Sequence, residues 1–286
     1  MTYHDARRPR FPRLLVLLAI LTLAAGSAEA VCTATWVGGV NGNFGTAGNW
    51  STNSVPGAGD DVCITATTAT NPPAVADTYT VVLDQDFSVH SLTLGGPNGT
   101  QTLVLPASNR MFTLGAASTV AANGVLTLGD NASGFSVLAG AGPLSNSGHV
   151  NAIIGGTSCN GCDTGRYLRL PFVNAAGGTT DLATTTVQDQ GPGSTNNGTV
   201  IIEATGSLAL RNGCSFTNNG GSVTNSGTFS VSGGTFVQRG GTESGNPVLL
   251  SASTLDDDIG GGTGLFTFAG GRCRATARAP RSRARA

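Results

Sequence analysis

The chain has 286 residues, a formal net charge of -1, 43 glycines and only 11% charged residues. Ordinary soluble domains have about 25% charged residues. The low charge excludes a coiled coil and a charged disordered chain, and no pattern of long apolar spans indicates a polytopic membrane protein. Abundant Gly, Thr, Ser and Asn instead indicate β structure with many turns.

The first thirty residues have the three parts of a secretory signal peptide. Four arginines precede the apolar run 14–25, and Ala28-Glu29-Ala30 is an A-x-A cleavage site. The run is shorter than the roughly 20 residues that span a bilayer as a helix. We therefore expect residues 1–30 to be removed, leaving a secreted or cell-surface protein with no membrane span after cleavage. The alternative is a short uncleaved anchor.

The cysteines are interpreted from that expected compartment, because disulfides are the default outside the cytoplasm. We favour Cys32–Cys63, since the two cysteines bracket one compact module. Cys159 and Cys162 have the spacing of a redox motif, but no thioredoxin-like βαβ pattern surrounds them. A tight loop closed by their disulfide is the preferred interpretation. No second Cys pair or His pair completes a zinc site, so no metal or other cofactor is expected.

Residues 31–65 form a distinct opening module that contains both tryptophans of the protein, Trp36 and Trp50. A solenoid has an apolar interior that must be covered at its end. Two large aromatic side chains near the first strand could cover this interior, so we interpret Trp36 and Trp50 as a structural cap. The alternative role is a platform on which a carbohydrate ring stacks.

Residues 66–271 contain a recurring pattern of short strands, in which apolar and polar residues alternate, separated by Gly, Asn or Ser. Strand centres lie about 7 to 14 residues apart, a spacing suited to a sandwich, a barrel or a β-helix. Predicted strands are 79–83, 91–94, 102–105, 111–114, 124–128, 199–202, 207–210, 228–231 and 235–237.

An Asn-x-Gly tripeptide recurs before several of these strands, beginning at Asn146, Asn196, Asn218 and Asn225. Asn and Gly tolerate left-handed backbone, so the tripeptide predicts a corner. Similar corners favour stacked rungs of roughly 20 residues, in which Asn side chains can form hydrogen-bonded ladders. A hairpin of a β-sandwich could use the same residues, which keeps that alternative open.

The opening module combines a Trp-Gly strand, an Asn-Trp pair, a Pro-Gly turn and an Asp-x-Val-x-Ile-like strand. These residues are Trp36, Gly38, Asn49, Trp50, Pro56, Gly57, Asp61, Val62, Cys63 and Ile64. With this pattern, the module and the repeats together resemble the secreted, adhesin-like right-handed parallel β-helix proteins of bacteria, including autotransporter passenger regions. The resemblance implies an all-β, single-stranded right-handed parallel β-helix (a β-solenoid) with an N-terminal Trp-containing cap. It also implies a structural or adhesive rod on a cell surface.

Residues 272–286 form an Arg/Ala-rich segment in which no strand pattern is visible, and we expect it to be a disordered tail. We interpret the chain as a fragment of a longer rod, with a basic tail that binds acidic polymers as the alternative. Between residues 31 and 271 there are five arginines against fourteen acidic residues. This acidic body disfavours nucleic acid as a partner.

Polysaccharide lyases and hydrolases of the pectin-lyase-like β-helix class are the alternative to an adhesive rod. Hydrolysis of a glycosidic bond needs carboxyl groups a few ångströms apart. The acids that could supply them are Asp84, Asp86, Asp256, Asp257 and Asp258. No Gly-x-Ser-x-Gly elbow and no phosphate-binding loop occurs. The leading hypothesis is therefore a non-catalytic rod whose Thr, Ser and Asn side chains contact a surface glycan or another cell-envelope component.

Overall fold

The computed structural model describes residues 31–37, 39–65, 77–130, 134–153, 165–191, 193–258, 264–269 and 272–276. The predicted signal peptide and the Cys159–Cys162 pair lie outside the described residues. Within the described ranges, no helix is long and apolar enough to cross a membrane.

Twenty-nine strands, numbered along the chain, form three parallel sheets in the described residues. The first sheet contains β1 (Ala34–Thr35), β3 (Asp61–Ile64), β6 (Ser91–Leu94), β9 (Ser118–Val120), β12 (Leu144–Asn146), β15 (Phe172–Asn174), β18 (Ser194–Asn196), β21 (Ser215–Asn218), β24 (Thr235–Gln238), β27 (Thr254–Asp258) and β29 (Arg272–Thr276). The second contains β2 (Gly42–Asn43), β4 (Tyr79–Val82), β7 (Gln101–Leu105), β10 (Gly124–Leu128), β13 (His149–Ala152), β16 (Thr179–Leu182), β19 (Thr199–Ile202), β22 (Ser222–Asn225) and β25 (Thr242–Gly245). The third contains β5 (Phe87–Val89), β8 (Arg110–Leu114), β11 (Ser136–Gly140), β14 (Arg166–Arg169), β17 (Thr185–Gln188), β20 (Ser207–Leu210), β23 (Thr228–Ser232), β26 (Val248–Ser251) and β28 (Phe266–Ala269).

Successive strands along most of the chain enter successive sheets, and each strand pairs in parallel with the strand one turn earlier and one turn later. This is a β-solenoid, so the predicted fold class is confirmed. A single 3-10 turn, Ala47–Asn49, interrupts the β structure of the opening module. Four strands, β6, β10, β19 and β20, have the bounds that the sequence predicts.

Alternation along each strand fills the interior of the coil with apolar side chains. In the second sheet, Leu103, Leu126 and Val150 occupy one register position on successive turns, and all three are fully buried. Successive residues of a strand point to opposite faces, which leaves the intervening Thr and Val residues on the outside. Burying one such leucine contributes about 1.5–3 kcal/mol, so the stacked interior holds the turns together.

A ladder of buried asparagines is formed by the last residues of four neighbouring strands of the first sheet, β12, β15, β18 and β21. The side-chain amide of Asn146 donates to Oδ1 of Asn174 at 2.9 Å, Asn174 donates to Asn196 at 2.9 Å, and Asn196 donates to Asn218 at 3.1 Å. Each of the three donors also gives a hydrogen bond to a backbone carbonyl of the following turn. The Asn ladder expected from the sequence is therefore present.

The Asn-x-Gly corners are formed differently from the prediction, which was that their residues adopt left-handed backbone. Asn146 and Asn196 end regular strands, and their Oδ1 atoms accept the backbone N–H of Gly148 at 3.1 Å and of Gly198 at 3.2 Å. Among the four glycines of these tripeptides, only Gly220 has a positive φ, of 91°. In two of the four corners the side chain of asparagine, and not an inverted backbone, therefore makes the closing hydrogen bond.

The opening module is tied to the first turns by the predicted Cys32–Cys63 disulfide, whose Cα atoms lie 5.7 Å apart. Cys63 lies in β3, which pairs on one side with β1 and on the other with β6. The bridge therefore links the first residues of the module to the body of the first sheet.

Removing this disulfide should destabilise the module. The bridge closes a loop with a sequence separation of 31, and loss of the loop constraint costs about 3–4 kcal/mol in the chain-entropy description. Cys32→Ala should therefore make residues 31–65 sensitive to protease under conditions in which the wild type resists. The matched control is Cys214→Ala, because Cys214 is a buried free thiol. Equal protease resistance of Cys32→Ala and wild type would contradict the prediction.

A cluster of aromatic side chains lies at the N-terminal end of the stack. The rings of Trp36 and Trp50 meet edge to face with centroids 5.0 Å apart, and Phe44 lies 4.8 Å from Trp50. Phe44 also contacts Phe87 of the third sheet at 4.4 Å. Both tryptophans are fully buried, which suits a structural cap and offers no open ring face for the carbohydrate-stacking alternative.

The other end of the stack extends beyond the predicted repeats. Strand β29 begins at Arg272, within the segment for which the sequence showed no strand pattern, and it pairs in parallel with β27. The remainder of that segment, residues 277–286, lies outside the described residues. Leu265 and Phe268 are exposed near this end.

Candidate functional site

The acids proposed for catalysis fall into two groups at different ends of the solenoid. Asp84 and Asp86 are exposed in the link between β4 and β5, and each accepts one backbone N–H at 2.9 Å, from Gly45 and Met111 respectively. Asp256, Asp257 and Asp258 lie in β27. Seven steps in the first sheet separate β6 from β27, which is about 34 Å. The structure therefore does not bring the two groups together.

No three His, Cys, Asp or Glu side chains of the described residues converge on a point suited to a metal ion. The alternative of a polysaccharide-cleaving enzyme stays a prediction. Its catalytic carboxylates would all have to come from a single one of the two groups. The side chain of Asp258 lies outside the described part of the chain.

A polar cluster that the sequence analysis did not identify joins the opening module to the next turn. The Oδ1 atom of Asp61 lies 2.8 Å from Nδ1 of His90 and accepts the hydroxyl of Ser91. These two hydrogen bonds, led by that of Ser91, lower the pKa of Asp61. Since the serine hydroxyl is directed to the aspartate and not to the histidine, the arrangement lacks the relay of a serine hydrolase. Its role is to fasten β3 to β6.

A second group of side chains lies on the outer face of the third sheet and combines two aromatic rings with an ion pair. We call it the aromatic–arginine patch, and it is formed by Phe135, Tyr167, Arg169 and Asp189. Tyr167 and Arg169 alternate along β14 with the buried Arg166 and Leu168, and therefore point outward. Register places Val137 and Val187 on either side of Tyr167. Both valines are only 3% exposed, so the accessible part of the patch is its four named members.

The patch is held in one geometry by contacts between its own members. The guanidinium of Arg169 lies 4.4 Å from the ring centroid of Tyr167, and Phe135 meets the same ring edge to face at 6.4 Å. Arg169 donates two hydrogen bonds to Asp189, of 2.7 Å from Nε and 2.8 Å from Nη2. These bonds lower the pKa of Asp189, so the pair is ionised at neutral pH. The four side chains are partly exposed and preorganised for contact with a partner.

Tyrosine and arginine are among the residues that contribute most binding energy per contact, because they combine apolar area with fixed polar groups. Arg169 and Asp189 together present donors and acceptors beside an aromatic ring. This combination suits a polyhydroxylated ligand, which offers apolar ring faces and hydroxyl groups in close succession.

A row of hydroxyl side chains follows the outer face of the second sheet. One register position holds a Thr or Ser on six of eight successive turns and is interrupted by Val125 and His149. Parallel strands are about 4.8 Å apart, so the four uninterrupted hydroxyls from Thr179 to Thr242 recur at that interval. The row consists of Thr80, Thr102, Thr179, Thr199, Ser222 and Thr242.

Neither the aromatic–arginine patch nor the individual members of this row were predicted as sites. The signal for the patch was the segment 166–169, Arg-Tyr-Leu-Arg, which holds two of the five arginines of the body. Comparison with models of protein families, with curated proteins and with solved structures finds no match for the chain.

Proposed function

We propose that the protein is a secreted or cell-surface structural rod that adheres to a glycan of a cell envelope, as the resemblance to adhesin-like β-helix proteins implies. The observation that carries the proposal is the aromatic–arginine patch on the outer face of the third sheet. The solenoid supplies a stiff support, and the patch supplies a contact with fixed geometry.

The hydroxyl row supports the same function by a different route. Each Thr or Ser contributes a weak contact, but many such contacts at a constant interval act together when the ligand is a polymer. The patch then gives the specific contact and the row gives additional weak ones. No catalytic step is needed for this function.

Adhesion is tested by measuring binding of the purified chain to an array of envelope glycans. If the patch is the contact, Tyr167→Ala should weaken binding by about tenfold or more, because truncation of a central aromatic side chain removes a dominant contact. Arg169→Gln should weaken it similarly, since it breaks the two hydrogen bonds to Asp189.

The matched control is Arg239→Gln, which makes the same change of charge at an exposed residue outside the patch. It should bind as the wild type does. Failure of the wild type to bind any envelope glycan, or equal binding by all three variants, would rule out adhesion through the patch. Export is tested separately, by determining whether the secreted chain begins at Val31.

A further inference from the structure

The Asn ladder ends on a carboxylate. Asn218, its last asparagine, donates from Nδ2 to Oε1 of Glu243 at 2.9 Å. Gln238 holds the next register position beside Asn218, but its amide donates to the carbonyl of Gly240 at 3.0 Å. Glu243 instead reaches the ladder from the second sheet, where its register partner is the buried Val223.

Two oxygen atoms at this end of the ladder are buried without a hydrogen-bond donor. They are Oε2 of Glu243 and Oε1 of Gln238, in side chains that are 9% and 2% exposed. A buried acceptor without a donor or a cation is costly. The backbone of Gly264 packs directly against Oε2 of Glu243, because a Cβ atom at this position would collide with that oxygen.

A second carboxylate belongs to the same group. Asp257 of β27 is the register partner of Gln238 and shares the inward-facing row with the buried Leu255. Burial, and to a smaller degree the charge of Asp257, raises the pKa of Glu243 to about 7, although the hydrogen bond from Asn218 opposes the shift. None of the described groups that act on Glu243 is a cation.

We propose that the C-terminal end of the Asn ladder binds one calcium ion through the carboxylates of Glu243 and Asp257 and through Oε1 of Gln238. All three ligands are hard oxygen donors, and calcium accepts mixed sets of carboxylate, side-chain amide, backbone carbonyl and water oxygens. A divalent cation would offset the charge of the buried Glu243 carboxylate and that of the half-buried Asp257, which acts on it. The site is independent of the proposed adhesion.

Titration of the full chain with CaCl2 in a calorimeter tests the proposal. We expect about one ion to bind per chain and thermal unfolding to shift upward with calcium. Glu243→Gln keeps an acceptor for Asn218 but removes a charge, and should weaken calcium binding by more than about tenfold. The control Glu203→Gln makes the same change at an exposed position and should bind as the wild type does.

Asp257→Asn provides a second test if Glu243→Gln does not fold, and it should weaken binding similarly. Because carboxylate ligands must be deprotonated to bind a metal, the thermal shift should be larger at pH 8 than at pH 5. Absence of binding heat at millimolar CaCl2 would overturn the proposal. Full retention of binding by both variants would overturn it as well, as would identical pH dependence of unfolding with CaCl2 and with a chelator.

Discussion

Asn196→Ala is expected to destabilise the solenoid by about 3–5 kcal/mol, because it removes the middle of the buried ladder. Asn196 donates to Asn218 at 3.1 Å and to the carbonyl of Ser222 at 3.2 Å, and it accepts from Asn174 at 2.9 Å and from Gly198 at 3.2 Å. Alanine leaves these buried partners without their hydrogen bonds. Water cannot replace them easily, since Asn196 is fully buried.

The neighbouring Asn197→Ala is a matched control for the ladder variant. Asn197 accepts one hydrogen bond, from Asn219 at 2.7 Å, on the outside of the coil. Its loss should cost less than about 1 kcal/mol. Both variants are compared with the wild type by urea denaturation and by amide hydrogen exchange of β15 and β21. A ladder variant no less stable than this control would show that the amide network contributes little.

The sequence was sufficient for most of the ladder and for the fold that supports it. A period of two in short strands and the recurring Asn-x-Gly predicted stacked parallel turns, and both are present. Asn174 was missed because Gly177 follows it by three residues instead of two. Asn225 carries the tripeptide but lies in the second sheet, where it donates to the carbonyl of Asn246. Whether an asparagine joins the ladder is therefore decided by the register between turns, and not by the tripeptide.

The candidate sites were less predictable, because they too depend on the register between turns. Phe135, Tyr167 and Asp189 come from separate turns, and their contact depends on the length of each intervening loop. Glu243 lies between Thr242 and Ser244, as an exposed polar residue would, but pairing with Val223 turns it inward. A shift of one residue in register exchanges interior and surface. Alternation alone therefore does not show which side chains of a strand point inward.

Trp50→Ala is expected to have a comparably large effect at the opposite end of the stack. The indole is 1% exposed, contacts the rings of Trp36 and Phe44, and donates from Nε1 to the carbonyl of Phe44 at 2.7 Å. Truncation of a buried tryptophan leaves a large cavity and costs about 3–5 kcal/mol. In a solenoid each turn contacts only its neighbours, so the loss should be concentrated in the first turns.

Amide hydrogen exchange measures this gradient directly. In Trp50→Ala, protection should fall in β1, β2 and β4 and be retained in β19 and β22, which lie several turns away. Trp50→Phe should have a smaller effect, since it retains most of the apolar contact and loses mainly the Nε1 hydrogen bond. Uniform loss of protection along the whole chain would mean that the aromatic cluster nucleates the entire solenoid. Unchanged protection in the first turns would mean that the cluster does not act as a cap.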